Sequence, residues 1–156
     1  MSARLQRLVY ASRWATVLGE DAEAALHRIV AVSMGRNRTV DITGLLLAHD
    51  GWFVQALEGP EIEVLALMLR INRDPRHRGV RILGSGVAEA RLFRDWNMVG
   101  ARLGRDADPL LTELGQIARF DGLGLDAQGA LQLLVFAGES QRRREREGLG
   151  LGRLAG

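Results

Sequence analysis

The stretch Ile42–Glu58, ITGLLLAHDGWFVQALE, limits what this chain can fold into more than any other. Asp50-Gly51 separates two apolar runs, and a type I′ turn needs positive φ at both central residues, which Asp-Gly supplies. A hairpin of strands 42–49 and 52–58 follows. Side chains alternate along a strand, so Phe53, Gln55 and Leu57 share one face and Trp52, Val54 and Ala56 the other. Neither set is solvated in character. An amide buried there without a partner costs roughly 1–3 kcal/mol, so Gln55 needs one.

The rest of the chain supplies elements to pack against that hairpin. Residues 5–12 (LQRLVYAS) read as a first strand, with Leu8, Tyr10 and Ser12 on one face and Val9 and Ala11 on the other. A helix is expected over 22–34, with Asp21 as N-cap, Gly35 as terminator and Leu26, Ile29, Val30 and Ser33 as the inward stripe. Gly59-Pro60 opens a second helix with Pro at its first position, running to about Asn72 ahead of Asp74-Pro75. Ile62, Val64, Leu65, Leu67, Met68, Leu69 and Ile71 nearly encircle it, which predicts burial on all sides. Strands are expected over 80–90 and 96–102.

The order βαββαββ predicts an α+β fold of ferredoxin-like type: a five-stranded mixed sheet with two helices on one face. Two further helices, over 109–120 and 126–147, are expected to cover the other face. Residues 148–156 (GLGLGRLAG), which carry too little apolar side chain for a core, are expected to be a disordered tail. The division is thus 1–104, a ligand-binding domain; 105–147, a helical extension; and the tail.

Composition narrows the chemistry. At 156 residues with 47% hydrophobic and 26% charged residues, one domain with a real core is expected. No apolar run reaches the roughly 20 residues a bilayer requires, and the start MSARLQRLVYAS is too short in its apolar part for a secretory signal. A cytoplasmic location is the default. All 21 basic residues are Arg, offset by 19 acidic ones, so the net charge of +2 gives little pull on a polyanion. With no Cys there is no thiolate site, disulfide or thiol adduct; with no Lys there is no Schiff base or P-loop lysine. His27, His49 and His77 lack metal-ligand spacing. Any cofactor is expected to be held non-covalently.

What remains is a neutral polar set. Tyr10 and Gln55 each sit among apolar strand neighbours, and Asn37 is expected just beyond the first helix, where Gly35-Arg36-Asn37 also reads as a turn. A hydroxyl and two amides offer donors and acceptors with no ion to desolvate. Such a set suits a flat heterocycle with both along one edge and suits hydrolysis poorly, since no carboxylate, imidazole or thiol joins it.

Five stretches then resemble one family. LVYAS (8–12), Asn37 with Thr43-Gly44 and Leu45-Leu46 (37–46), FVQALEG (53–59), INRDPRH (71–77) and RLFRDWNM (91–98) are similar in order and spacing to the BLUF domains, blue-light sensors that use FAD, over about residues 4–102. The resemblance implies FAD (FMN or riboflavin in a recombinant preparation) between the two helices. Ile29 and Ile71 flank the ring, Asn37 bonds its pyrimidine edge, and Gln55 stands between that edge and Tyr10. It also implies flavin-lining positions at Ser33, Arg36, Leu46, Arg76 and His77. Arg36 departs from the family, which more often has Asn or His there. Light-driven electron and proton transfer from Tyr10 through Gln55 is implied, with Trp96 and Met98 as the fifth-strand pair that alternates with light state.

The chain as given holds no attached enzyme domain, so no enzymatic activity is expected. Output is expected to go from the C-terminal helices to another copy (a dimer or larger) or to a separate effector protein. Neither nucleic acid nor membrane is an expected partner. Three other readings compete. An RRM-type nucleic-acid binder shares the topology, but Val54 follows Trp52 on its face where a base-stacking aromatic is needed. An acylphosphatase-type hydrolase lacks its phosphate-cradling loop. A domain that has lost flavin and only mediates contacts is opposed by the intact Tyr10, Gln55 and Asn37.

Overall fold

The computed structural model describes residues 4–15, 22–96, 99–116 and 119–148. Nine elements follow in the order β1 (Leu5–Trp14), α1 (Ala22–Thr39), β2 (Thr43–His49), β3 (Trp52–Pro60), α2 (Glu61–Arg73), β4 (His77–Val87), β5 (Val99–Ala101), α3 (Asp108–Glu113) and α4 (Ala127–Glu147), with two short 3-10 turns flanking α3. Among the described residues the strands form one sheet in the order β4-β1-β3-β2-β5, in which the β2–β5 pairing is parallel and the other three are antiparallel. This is the expected ferredoxin-like sheet with an added strand.

The sheet separates two cores, and the split follows strand parity. On one face Leu8, Tyr10, Leu46, Phe53 and Leu57 pack with Leu26 and Ile29 of α1 and with Val64, Leu67, Met68 and Ile71 of α2. On the other, Val9, Ala11, Leu45, Leu47, Trp52, Val54 and Ala56 pack with Leu111, Leu133, Leu134 and Ala137 of α3 and α4. The hairpin turn has the expected positive φ at both residues, 49° at Asp50 and 80° at Gly51. In β2, Gly44 is required by packing: a Cβ there would lie 2.1 Å from the carbonyl oxygen of Ala56.

Several boundaries differ from expectation. The first helix does not stop at Gly35, which stays helical; α1 continues to Thr39, and Asp41 at φ 60° makes the reversal. Asn37 therefore sits in the last turn of a helix rather than beyond one. Pro60 is extended (ψ 135°) and caps α2, whose first residue is Glu61. That helix buries one side only: Ile62 is 81% exposed, Leu69 60% and Leu65 47%. The expected burial on all sides does not hold, because a helix lying on a sheet has a single face to bury.

β4 begins at His77 because β1 runs on to Trp14 and pairs with it. Among the described residues β5 is Val99–Ala101, facing Leu45–Leu47, and Trp96 lies outside it. α3 ends at Glu113, where Gly115 at φ 74° takes the chain out of the helix. Asp21, the side chains of Val30 and Ser33, Met98 and residues 149–156 lie outside the described set, so the expectations placed on them are not addressed. No helix among the described residues is long and apolar enough to cross a membrane.

Candidate functional site

β1 and β3 bring the first two site residues together by register alone, since Tyr10 lies directly opposite Gln55. Leu46 of β2 faces Gln55 from the other side. Opposed residues on one face of an antiparallel pair lie within roughly 4.5–5.5 Å at Cβ, and the fully buried Tyr10 hydroxyl donates a hydrogen bond to Gln55 Oε1. The partner that Gln55 required is Tyr10. The β1–β4 pairing is irregular between Val9 and Tyr10 and again between Ala11 and Arg13. Such bulges re-aim side chains next to functional sites, and here they flank Tyr10 and Ser12.

Ser12, fully buried, bonds His77 Nδ1 at 2.8 Å. The His77 ring lies edge-on to Tyr10 with centroids 5.9 Å apart, and 5.0 Å from the Phe53 ring. Next to it Asp74 accepts three hydrogen bonds from the Arg76 side chain, Nε to Oδ1 at 2.9 Å and to Oδ2 at 3.2 Å, and Nη2 to Oδ2 at 2.6 Å.

Burial sets the protonation of this group. It pushes the Tyr10 phenol far above its ordinary value, and the negative charge of Asp74 adds to the shift. It pushes the His77 imidazole down to about 4, against the opposing pull of Asp74 and with help from Arg76. Burial alone would raise the Asp74 carboxyl, but the hydrogen bonds and charge of Arg76 hold it below its ordinary value. At neutral pH the site thus contains a protonated phenol, a neutral imidazole and two amides.

A cleft between α1 and α2 opens onto these residues, lined by Ile29, Arg36, Asn37, Gln55, Ile71 and His77 among others. Asn37 is 1% exposed, yet neither its Oδ1 nor its Nδ2 has a hydrogen-bond partner. Buried side-chain polar atoms are nearly always bonded, so a donor and an acceptor left open together require a complementary edge. The pyrimidine end of a flavin presents such an edge: a carbonyl beside an imide N–H. Ile29 and Ile71 give the cleft apolar walls on either helix. The residues present therefore fit the group that the sequence resemblance implies.

Of the positions expected at the site, the cleft gathers Ile29, Arg36, Asn37, Gln55, Ile71, Arg76 and His77. Leu46 and Tyr10 lie beneath it in the same core. Trp96 is elsewhere, on the α4 side of the sheet: its ring lies against Phe93 at 5.7 Å, Arg142 stacks over it at 4.5 Å, and Gly138 leaves it room. Sequence reasoning missed Ser12, which bonds His77, and Arg70 and Asp74, which also line the cleft. Ser12 carried a signal, being a hydroxyl on the same face as Tyr10, two residues along.

A buried tyrosine–amide pair with an open amide in a cleft on a ferredoxin-like sheet suits a ligand-binding domain, and the face that would stack bases is buried. The expectation that no imidazole or carboxylate joins the set does not hold, since His77 and Asp74 both line the cleft. Residues 5–99 match the profile of the family described as "BLUF: Sensors of blue-light using FAD", and the chain belongs to that family. It is 31% identical over 97 residues to the photoactivated adenylate cyclase subunit beta of Euglena gracilis, an alignment covering 62% of this chain and 11% of that protein. It is 34% identical over 89 residues to the blue light- and temperature-regulated antirepressor BluF of Escherichia coli (strain K12), covering 57% and 21%. The chain thus spans about a tenth of the cyclase subunit and a fifth of the antirepressor. Among solved structures, BlsA in its photo-activated state superposes with TM-score 0.77 at 26% identity, covering 85% of this chain and 94% of that one. The dark state of BlrB, a BLUF protein, gives 0.70 at 27%, covering 89% and 98%.

Proposed function

We propose that this chain is a blue-light receptor that binds FAD non-covalently in the α1–α2 cleft and reports illumination by rearranging Gln55. The carrying observation is the buried hydrogen bond from Tyr10 to Gln55 Oε1, beneath the two open atoms of Asn37. When bound, the flavin supplies a visible chromophore that accepts an electron once excited. Tyr10 is the electron donor. Its phenol is held protonated by burial, so the proton leaves only when the ring is oxidised, and Gln55 Oε1 is positioned to receive it.

On return of both, the amide is left turned or tautomerised. Asn37 fixes the ring's edge, Ile29, Leu46 and Ile71 enclose it, Arg36, Arg76 and His77 complete the walls, and Ser33 belongs to the same lining. A neutral His77 beside Tyr10 adds no charge against the oxidised phenol. Each hydrogen bond exchanged is worth about 0.5–1.5 kcal/mol net, enough to separate two states of the amide.

The receptor acts without catalysis of its own, in the cytoplasm. It signals through Trp96, Met98 and the helices after residue 104 to a separate effector protein, itself assembling as a dimer or larger. An RNA-binding use of the same topology is opposed by the burial of Trp52, Val54 and Ala56 under α4, on the face that would have to stack bases. The test is optical. The purified chain should be yellow, its blue band should move slightly to the red on illumination, and the shift should reverse in darkness. Gln55→Leu should keep FAD and lose the shift. A colourless protein that takes up no flavin, or a shift that persists in Gln55→Leu, refutes the reading.

A further inference from the structure

Gln55 and α4 lie on opposite faces of the sheet, so a change on one side must cross the sheet to reach the other. The side chains β3 sends to the α4 face next to Gln55 are Val54 and Ala56. They make only dispersion contacts, which are individually weak and without direction. Three residues beyond Gln55 the same face carries a different group. Glu58 is fully buried, and no other carboxylate among the described residues is.

Its partners are Arg7 of β1 and two backbone N–H groups of the segment that leads to α4. Oε2 accepts from Arg7 Nε at 2.8 Å and from the Leu92 backbone N–H at 2.9 Å, and Oε1 accepts from the Phe93 N–H at 2.7 Å. Arg7 stands opposite Glu58 in the β1–β3 register, and its Nη2 also reaches the Ala90 carbonyl at 2.7 Å. Arg91 bonds the Glu58 carbonyl, the Thr43 hydroxyl and the Asp41 carbonyl at 2.8–3.1 Å. The segment held in this way continues directly to Trp96, whose N–H bonds the Phe93 carbonyl at 3.1 Å and whose carbonyl accepts from Gly44. The Trp96 ring lies between Phe93 and Arg142 of α4.

We propose that Glu58 is the positioning residue that carries the light-driven change at Gln55 across the sheet, by altering its hydrogen bonds to Leu92 and Phe93 and so resetting the 91–96 segment beneath α4. This rests on the reading above, in which light rearranges Gln55. The carboxylate suits the task because its bonds are directional and charge-assisted, and because burial leaves no water to replace a bond that lengthens. A static anchor would make the same contacts, so the two roles separate only under light.

The experiment compares the full FAD-loaded chain in darkness and under blue light. Amide exchange is followed in residues 88–96, with an infrared difference spectrum on protein carrying 13C-labelled Glu. In the wild type, exchange at Leu92 and Phe93 should quicken about two- to tenfold in light, the factor for one net hydrogen bond. A Glu carboxylate band should also shift. Glu58→Gln, which keeps the shape, should retain the red shift while losing the exchange response, and Glu58→Asp should restore it in part. A normal red shift with unchanged exchange and no carboxylate band in the wild type overturns the inference and leaves the photochemical reading intact. So does a Glu58→Gln variant that responds like the wild type. Absence of any red shift in the wild type overturns both. The wild-type measurements decide the matter even if Glu58→Gln fails to fold.

Discussion

His77 is where burial at the site becomes measurable without light. Its ring is packed against Tyr10 and Phe53, Ser12 bonds Nδ1, Asp74 draws a proton toward it and Arg76 repels one. Burial wins, and the folded value falls to about 4 from 6.5. Between those values the unfolded chain binds more protons than the folded one, so stability rises with pH across the window. The contribution is complete above about pH 6.5 and is lost as pH falls toward 4, on the order of 3 kcal/mol in all. Asp74, held below its ordinary value, titrates beneath this window. Urea unfolding at pH 7 and pH 4.5 should show a clear loss at the lower pH for the wild type and a much smaller one for His77→Asn. Equal losses would remove His77 as the cause.

At the scale of elements the decisive contact is between β2 and β3. Gly44 pairs with Leu57, and the space a side chain would need is already filled by backbone, which cannot rotate away. Overpacking a core costs typically about 1–3 kcal/mol when side chains can adjust. Gly44→Ala should reach about 3 kcal/mol or more, read as a lowered urea midpoint with weakened flavin retention, because β2 also presents Leu46 to the site. A change below about 1 kcal/mol would mean that the strands part easily.

Gly44 also shows what a linear sequence can and cannot tell. The two-residue period placed Tyr10, Phe53, Gln55 and Leu57 on one face correctly, since parity is a property of the strand itself, and Asp50-Gly51 set the register. The ends of helices were less legible. Gly35 reads as a stop on local propensity, yet the fold carries α1 a turn further and makes the reversal at Asp41. That one turn is what buries Asn37. Glu58 drew no reading from the sequence, and only the folded chain shows that its partners are Arg7 and two backbone amides from residues 92 and 93.

For the whole molecule, the question is what a few hydrogen bonds can move. α4 buries Ala130, Leu133, Leu134 and Ala137 completely against the sheet. Each leucine alone is worth roughly 1.5–3 kcal/mol of burial, so the helix is held by more than the one or two exchanged hydrogen bonds of about 0.5–1.5 kcal/mol each that light supplies. On the proposed reading, illumination is therefore expected to leave α4 docked. The same arithmetic makes α3 and α4 part of the fold rather than an accessory. A chain ended at Gly104 would expose Val9, Leu45, Leu47, Trp52 and Val54 together, an apolar patch beyond the few hundred Å² that a soluble monomer tolerates. Size-exclusion chromatography with light scattering should find that truncated chain self-associated or insoluble, while the full chain keeps amides 130–137 protected from exchange equally in darkness and in light. A monodisperse, flavin-loaded truncation, or a light-exposed buried face of α4, would show that the two faces of the sheet are independent and that the output helices can come away whole.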